Sequence, residues 1–295
     1  MKRLLVPLDG SPLAESILAV AEEWAKEKEE EAELSLLRAV LVHHLPGGDD
    51  TEAQVRAVGE AEAYLAGVAD RLQRRGLKQV RWAVWYDEPA AAITQAVARN
   101  GVDLITMATH GRGGLSRLVL GSVAEAVVRS VRVPVLLIRG QSAWKPWATR
   151  KILVPLDGSE PSEGILQVAQ RLAGARDLTV VLFTVIDPLG LRGMGETSTR
   201  LPELMAHQRG DADRHLAKVA EPLRDAGLRV ECVVGLGRAA EAIAAVAGRE
   251  QVDLIAMATH GRSGLSRLLM GSVAADVLRR APVPVLLFKA GERAG

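Results

Sequence analysis

Several things are scarce in this chain of 295 residues, and each scarcity excludes something. Cysteine occurs once, at Cys232, so no intramolecular disulfide can form. Neither sign of charge prevails: 37 Lys and Arg face 36 Asp and Glu, a net +1. That balance offers no electrostatic attraction to nucleic acid or to an anionic membrane. No apolar run approaches the roughly 18 residues that a membrane span needs. Met1-Lys2-Arg3 leads straight into a short strand pattern rather than a secretory signal. The expectation is a soluble, cytoplasmic chain that contacts neither membrane nor nucleic acid. Two phosphate motifs are also missing, G-x-x-x-x-G-K-[ST] anywhere and G-x-G-x-x-G after the first strand, which argues against a P-loop and a dinucleotide fold. Apolar content of 48% and charged content of 25% are ordinary for a globular protein, and the length predicts about two domains.

What is present is a repeat. Residues 102–124 read V-D-L-I-T-M-A-T-H-G-R-G-G-L-S-R-L-V-L-G-S-V-A, and residues 252–274 read V-D-L-I-A-M-A-T-H-G-R-S-G-L-S-R-L-L-M-G-S-V-A. Only Thr106/Ala256, Gly113/Ser263, Val119/Leu269 and Leu120/Met270 differ, so two copies of one unit are expected. Each copy opens with an apolar run that reads as a buried parallel strand. It then passes through a polar, glycine-containing segment and ends at Gly-Ser before a run of helical composition. Ser122 is expected to N-cap that helix and, with Glu125, to complete a capping box. The second copy has Ala275 in place of the glutamate, so its box is incomplete. A glycine turn after a strand, then Gly-Ser at a helix start, gathers unpaired N–H groups around one point. Such a point suits an anion, phosphate above all, and glycine lets that anion approach the backbone.

This stretch resembles the ATP-binding branch of the universal stress protein family, whose signature is G-x2-G-x9-G-[ST]. Here it falls on Ala108, Gly111, Gly121 and Ser122, and again on Ala258, Gly261, Gly271 and Ser272, with alanine for the first glycine in both copies. The resemblance covers nearly the whole chain, as domains 1–140 and 151–290 joined by a linker, 141–150. It implies an α/β fold of two tandem doubly wound domains, Rossmann-like and similar to adenine nucleotide alpha hydrolases. Each would hold a five-stranded parallel sheet of order 3-2-1-4-5. It further implies ATP in one or both domains, Mg2+ or Mn2+ as an optional companion, and a regulatory role in stress response. Ribose and adenine would meet Pro7, Leu8, Asp9 and Val40 in the first copy, and Pro155, Leu156, Asp157 and Val185 in the second. Phosphates would meet Ala108, His110, Gly111, Arg112, Gly121, Ser122 and Val123, and then Ala258, His260, Gly261, Arg262, Gly271, Ser272 and Val273. No catalytic residue is implied, and the H-I-G-H motif of ATP-activating relatives is absent. The competing readings are a partner-binding module of the same fold and a slow ATP hydrolase.

The remaining chain supports alternating strand and helix. Strands are expected at 4–8, 34–40 and 80–85, and again at 152–156, 179–185 and 229–234. Helices are expected near 14–28, 52–75, 163–173 and 203–226, with Gly76 and Gly227 stopping two of them. Asp9-Gly10-Ser11 and Asp157-Gly158-Ser159 read equally as a turn with an N-cap and as a carboxylate placed where open α/β sheets bind ligands. The run 26–33 is a solvated helix end. His43 and His44 lack an evident third ligand, so loop histidines are expected there. The loop 188–199, with Gly190, Gly193 and Gly195, is either a ligand cover or an insertion. Trp82 and Trp85 suit packing better than base stacking, and Trp144 and Trp147 are expected to pin the linker. Asp87-Glu88-Pro89 against Gly237-Arg238-Ala239 introduces a charge difference between the copies.

His110 and His260 have no nucleophile in sequence reach, so backbone-bonding loop residues are expected rather than catalysts. Arg112 and Arg262 are favoured over Arg117 and Arg267 as phosphate partners, and Ser116 and Ser266 suit short caps. Each copy ends in an apolar strand, Val133–Ile138 and Val283–Phe288, with proline near its start, a position that needs no ladder N–H. By resemblance these two strands pair antiparallel within one chain as an internal pseudo-dimer. A further homodimer and a protein partner remain open.

Overall fold

A computed structural model describes residues 2–26, 32–41, 50–109, 120–139, 150–173, 178–188, 201–260 and 270–289. The chain divides into two compact units, Met1–Gln141 and Ser142–Gly295. Unit 1 runs β1 (Arg3–Pro7), α1 (Pro12–Glu15), α2 (Leu18–Lys26), β2 (Glu33–Val40), α3 (Asp50–Arg74), β3 (Val80–Tyr86), α4 (Pro89–Asn100), β4 (Leu104–Ala108), α5 (Ser122–Ser130) and β5 (Val135–Ile138). Unit 2 repeats it: β6 (Lys151–Pro155), α6 (Glu160–Glu163), α7 (Ile165–Ala173), β7 (Thr179–Ile186), α8 (Leu201–Asp225), β8 (Arg229–Leu236), α9 (Ala239–Arg249), β9 (Leu254–Ala258), α10 (Ser272–Arg280) and β10 (Val285–Phe288).

The sheet of unit 1 has the order β3-β2-β1-β4-β5, all parallel. Unit 2 has β8-β7-β6-β9-β10, again parallel. Both match the expected 3-2-1-4-5. Strands covered on both faces need apolar side chains at every position, not at alternate ones. Leu4, Leu5 and Val6 of β1 and Leu104, Ile105, Thr106 and Met107 of β4 are accordingly buried in succession. The outer strands β3 and β8 are mostly exposed or half-buried, as edges are.

The predicted long first helix is in fact two. Ser16 ends α1, its hydroxyl donating to Leu13 O at 2.6 Å, and the chain restarts at Leu18. In unit 2 the break falls at Gly164. The helices α3 and α8 stop where predicted. Gly76 and Gly227 take φ of 99° and 85°. Leu77 N then bonds Leu72 O at 3.2 Å, and Leu228 N bonds Leu223 O at 3.1 Å. Those are the six-to-one bonds of a glycine-terminated helix. Pro134 precedes β5 and contributes only its carbonyl, which accepts from Ile105 N at 3.0 Å.

One residue ties the amino edge of each sheet. Asp103 Oδ2 accepts from Lys2 N at 2.6 Å and Arg3 N at 3.0 Å. Its repeat, Asp253 Oδ2, accepts from Arg150 N at 2.7 Å and Lys151 N at 3.0 Å. The Asp of the Val-Asp-Leu-Ile repeat thus fastens the fourth strand of a unit to the start of its first.

Candidate functional site

In an order of 3-2-1-4-5 the chain reverses direction between the first and fourth strands, and the carboxyl ends of those strands open a crevice. In unit 1 that switch point falls between β1 and β4, in unit 2 between β6 and β9. The predicted Pro7, Leu8 and Asp9 end β1, and Val40 ends the neighbouring β2. Ala108 ends β4, while Gly121, Ser122 and Val123 begin α5. Pro155, Leu156, Asp157, Ala258, Gly271, Ser272 and Val273 hold the matching places in unit 2. Residues 110–119 and 261–269 lie outside the described residues. They include His110, Gly111, Arg112, Ser116 and Arg117, and Gly261, Arg262, Ser266 and Arg267. The same holds for His43, His44, most of the loop 188–199, and Trp144 and Trp147.

The helix starts differ from expectation. Gly121 and Gly271 are the N-caps of α5 and α10, and neither helix has a side-chain cap. Ser122 and Ser272 are already helical, so the capping box of Ser122 with Glu125 does not form. Its geometry needs an extended residue at the cap, and glycine holds that place with φ −60° and ψ 144° at Gly121. The first-turn N–H groups therefore receive no bond from the helix's own cap side chain.

Gly121 N donates to Thr109 O at 2.7 Å, and Gly271 N to Thr259 O at 2.9 Å. Thr109 N and Thr259 N in turn donate to Ile138 O and Phe288 O at 3.1 and 2.9 Å. The helix start is thereby held against the end of the fourth strand, itself held to the fifth. A Cβ at Gly271 would lie 2.7 Å from Thr259 O. The glycine is required by this internal approach, a reason independent of any bound anion.

Asp9 Oδ1 accepts from Ser11 N at 2.8 Å, and Ser11 Oγ accepts from Ala14 N at 3.1 Å to cap α1. Asp157 Oδ1 accepts from Ser159 N at 3.0 Å and from Ser159 Oγ at 2.6 Å. Gly10 and Gly158 have φ of 81° and 77°, which the turn requires. The turn-and-cap reading of Asp-Gly-Ser therefore holds locally, and each aspartate also stands at the carboxyl edge of its sheet.

In unit 2 this edge carries a cleft of about 580 Å3. Asp157, Gly158, Thr184, Val185, Ile186 and Asp187 line it from the strand ends, and Gln208, Asp211, Ala212 and His215 line it from α8. The α8 residues were not singled out from sequence. Their signal is helical spacing, since 208, 211, 212 and 215 share one face. Thr184 Oγ1 donates to Leu156 O at 3.0 Å, and His215 Nε2 lies 3.3 Å from Glu163 Oε1. Asp211 pairs with Arg214 and, at 2.9 Å, with His207 Nδ1.

The strand register refines the correspondence of the copies. Pro7 faces Leu37 and Pro155 faces Phe183, so Ala39 corresponds to Val185 and Val40 to Ile186. Likewise Trp82 corresponds to Cys232 and Trp85 to Gly235. Trp82 is 41% exposed, and Trp85 carries the Arg99 guanidinium 5.2 Å from its ring centroid. His260 Nδ1 lies 3.0 Å from Thr259 Oγ1. Asp87 uses both oxygens locally, accepting from Glu88 N at 2.7 Å and Gln95 Nε2 at 2.6 Å. Among the described residues no cluster of three His, Cys, Asp or Glu could hold a metal, and no helix is long and apolar enough to cross a membrane.

Two doubly wound units of this strand order, each starting a helix after its fourth strand, define an open-sheet α/β protein. Residues 1–139 and 148–289 each match the sequence pattern of the Universal stress protein family, to which this chain belongs as a tandem of two copies. Universal stress protein Slr1230 of Synechocystis is 29% identical over 231 residues, 78% of this chain and 72% of its own length. Universal stress protein MJ0577 of Methanocaldococcus jannaschii is 29% identical over 153 residues, 48% of this chain and 94% of its own. The solved universal stress protein of Archaeoglobus fulgidus shares the fold, with a TM-score of 0.74 at 21% identity, covering 98% of this chain and 99% of that one.

Proposed function

We propose that this chain binds ATP in one or both units and acts as a regulatory module of the stress response. The observation that carries this reading is the pair of helix starts at Gly121 and Gly271, each without a side-chain cap and each at the switch-point crevice. A helix start combines free N–H donors with the positive end of the macrodipole, so phosphate is its natural ligand. Gly111, Arg112, Gly261 and Arg262 complete the phosphate side in this reading, with Mg2+ or Mn2+ optional. Asp9 and Asp157 take ribose hydroxyls, to which a carboxylate is an acceptor. The unit 2 cleft supports the fit, since about 580 Å3 lies within the usual span of small-ligand pockets, roughly 300–1,000 Å3. The reading also keeps the pairing of Val133–Ile138 with Val283–Phe288 within one chain. Nucleotide binding would then alter a surface offered to a protein partner.

A second reading, a partner-binding module without nucleotide, is favoured by one observation. Gly271 is needed by Thr259 O whether or not a ligand binds. Calorimetry on nucleotide-stripped protein with ATP and Mg2+ separates the two. Ser122→Glu and Ser272→Glu are the informative variants. Each adds a negative charge that a helix start tolerates but a phosphate does not. Binding by the intact chain that falls in these variants supports ATP. No binding at millimolar ATP removes it and leaves the partner module.

A further inference from the structure

The two units do not carry the same residues at the positions that line the unit 2 cleft. Register and helix ends align them residue by residue. Arg38 stands where Thr184 stands, and Leu41 where Asp187 stands. On the long helices, Tyr64 and His215 sit at equal distances before Gly76 and Gly227. By the same count Ala57 matches Gln208 and Glu60 matches Asp211.

In unit 2 the small Thr184 turns its hydroxyl back onto Leu156 O, at 3.0 Å, and borders open space. His215 borders the same space and leans on Glu163 at 3.3 Å. In unit 1 the corresponding positions carry two long side chains packed on each other. The Arg38 guanidinium lies 4.9 Å from the centroid of the Tyr64 ring. Glu15, the counterpart of Glu163, is held by Arg71 at 2.7 Å instead of by a histidine. The polar groups differ too. Unit 2 lines its cleft with the carboxylates Asp157, Asp187 and Asp211, acceptors suited to hydroxyl and amino donors, and with Gln208, whose amide both donates and accepts. Unit 1 has Leu41 and Ala57 in two of those places and adds a guanidinium.

We propose that unit 2 is the primary nucleotide site, and that the stacked Arg38–Tyr64 pair weakens the site of unit 1 by occupying the wall against which base and ribose would rest. Gln208 and His215 on α8 are then specificity residues of the primary site. This inference rests on the nucleotide reading above. A ligand entering unit 1 must displace a guanidinium from an aromatic face, while one entering unit 2 meets hydrogen-bonding groups around an existing cleft.

The test is calorimetric titration of the full, nucleotide-stripped chain with ATP and Mg2+. Two classes of site are expected, separated by about tenfold or more, the span of one or two hydrogen bonds to the ligand. A Thr184→Arg/His215→Tyr double variant, checked for folding by circular dichroism, should lose the tight class and keep the weak one. The reciprocal Arg38→Thr/Tyr64→His variant should tighten the weak class, and it reads the proposal independently if the first variant misfolds. Two equal sites, or a tight class that survives the first variant while the second changes nothing, would overturn the inference and leave ATP binding intact. No binding in any variant would overturn the inference together with the nucleotide reading.

Discussion

Gly271→Ala isolates the contact on which the helix start depends. The residue has φ −56° and ψ 144°, values alanine adopts without strain, so the backbone itself adds no penalty. The new Cβ would lie 2.7 Å from Thr259 O, against about 3.3 Å for close C···O contacts. Either the helix start or the strand end must shift by more than half an ångström. The Gly271 N to Thr259 O bond of 2.9 Å weakens with that shift, at a cost of about 0.5–1.5 kcal/mol. Overpacking adds about 1–3 kcal/mol. The reduced freedom of the unfolded chain returns about 0.4–1 kcal/mol. The net expectation is destabilisation of about 1–3 kcal/mol, read as a lower urea midpoint at unchanged slope. Gly248→Ala in α9 is the control. Nothing lies within 4 Å of its added Cβ, and it should stabilise by about 0.5–1 kcal/mol. If Gly271→Ala behaves like Gly248→Ala, the close approach does not constrain the protein and the reasoning fails.

Gly235→Ala should also destabilise by about 1–3 kcal/mol, because its Cβ would meet the buried Phe183 ring at 2.6 Å; thermal melts check this. Asp253→Ala strips the acceptor from the N–H groups of Arg150 and Lys151, and a loss of about 1–3 kcal/mol in chemical denaturation is expected. The Tyr64 phenol is pushed well above its ordinary range, first by burial and next by the Glu15 carboxylate. A group whose folded-state pKa is raised stabilises below its unfolded value and loses that contribution as pH rises. The urea midpoint should therefore drop above about pH 10, and drop less in Tyr64→Phe. An alkaline drop equal in both proteins would contradict this.

The sheet order was legible because it rests on a strong signal, five strand patterns per copy separated by helical patterns, repeated at half the chain length. Asp9, Gly121 and their repeats were legible for a related reason. Short turns at strand ends demand particular residues, and those residues are few. The cap was misread because Ser and Gly are adjacent and both can serve. What decided between them was the approach of Thr259 O to Gly271, a tertiary contact that local sequence does not encode. The α8 wall was missed because Gln208, Asp211 and His215 look like any solvated helix face until β7 is placed beside them. The one-residue offset between Val40 and Val185 had the same origin. Pairing with the first strand sets the register, and apolar runs of similar composition slide past one another on paper.

The bonds Gly121 N to Thr109 O and Gly271 N to Thr259 O close each connecting segment at its base, like a drawstring. The end of the fourth strand and the start of the following helix are then fixed to each other directly, whatever the length of chain between them. Closing a loop costs only about 0.6 kcal/mol more for each doubling of its length. Sequence between the anchors is therefore free to drift while the two folds stay fixed. A chain carrying two such closed segments can alter one and keep the other as it was.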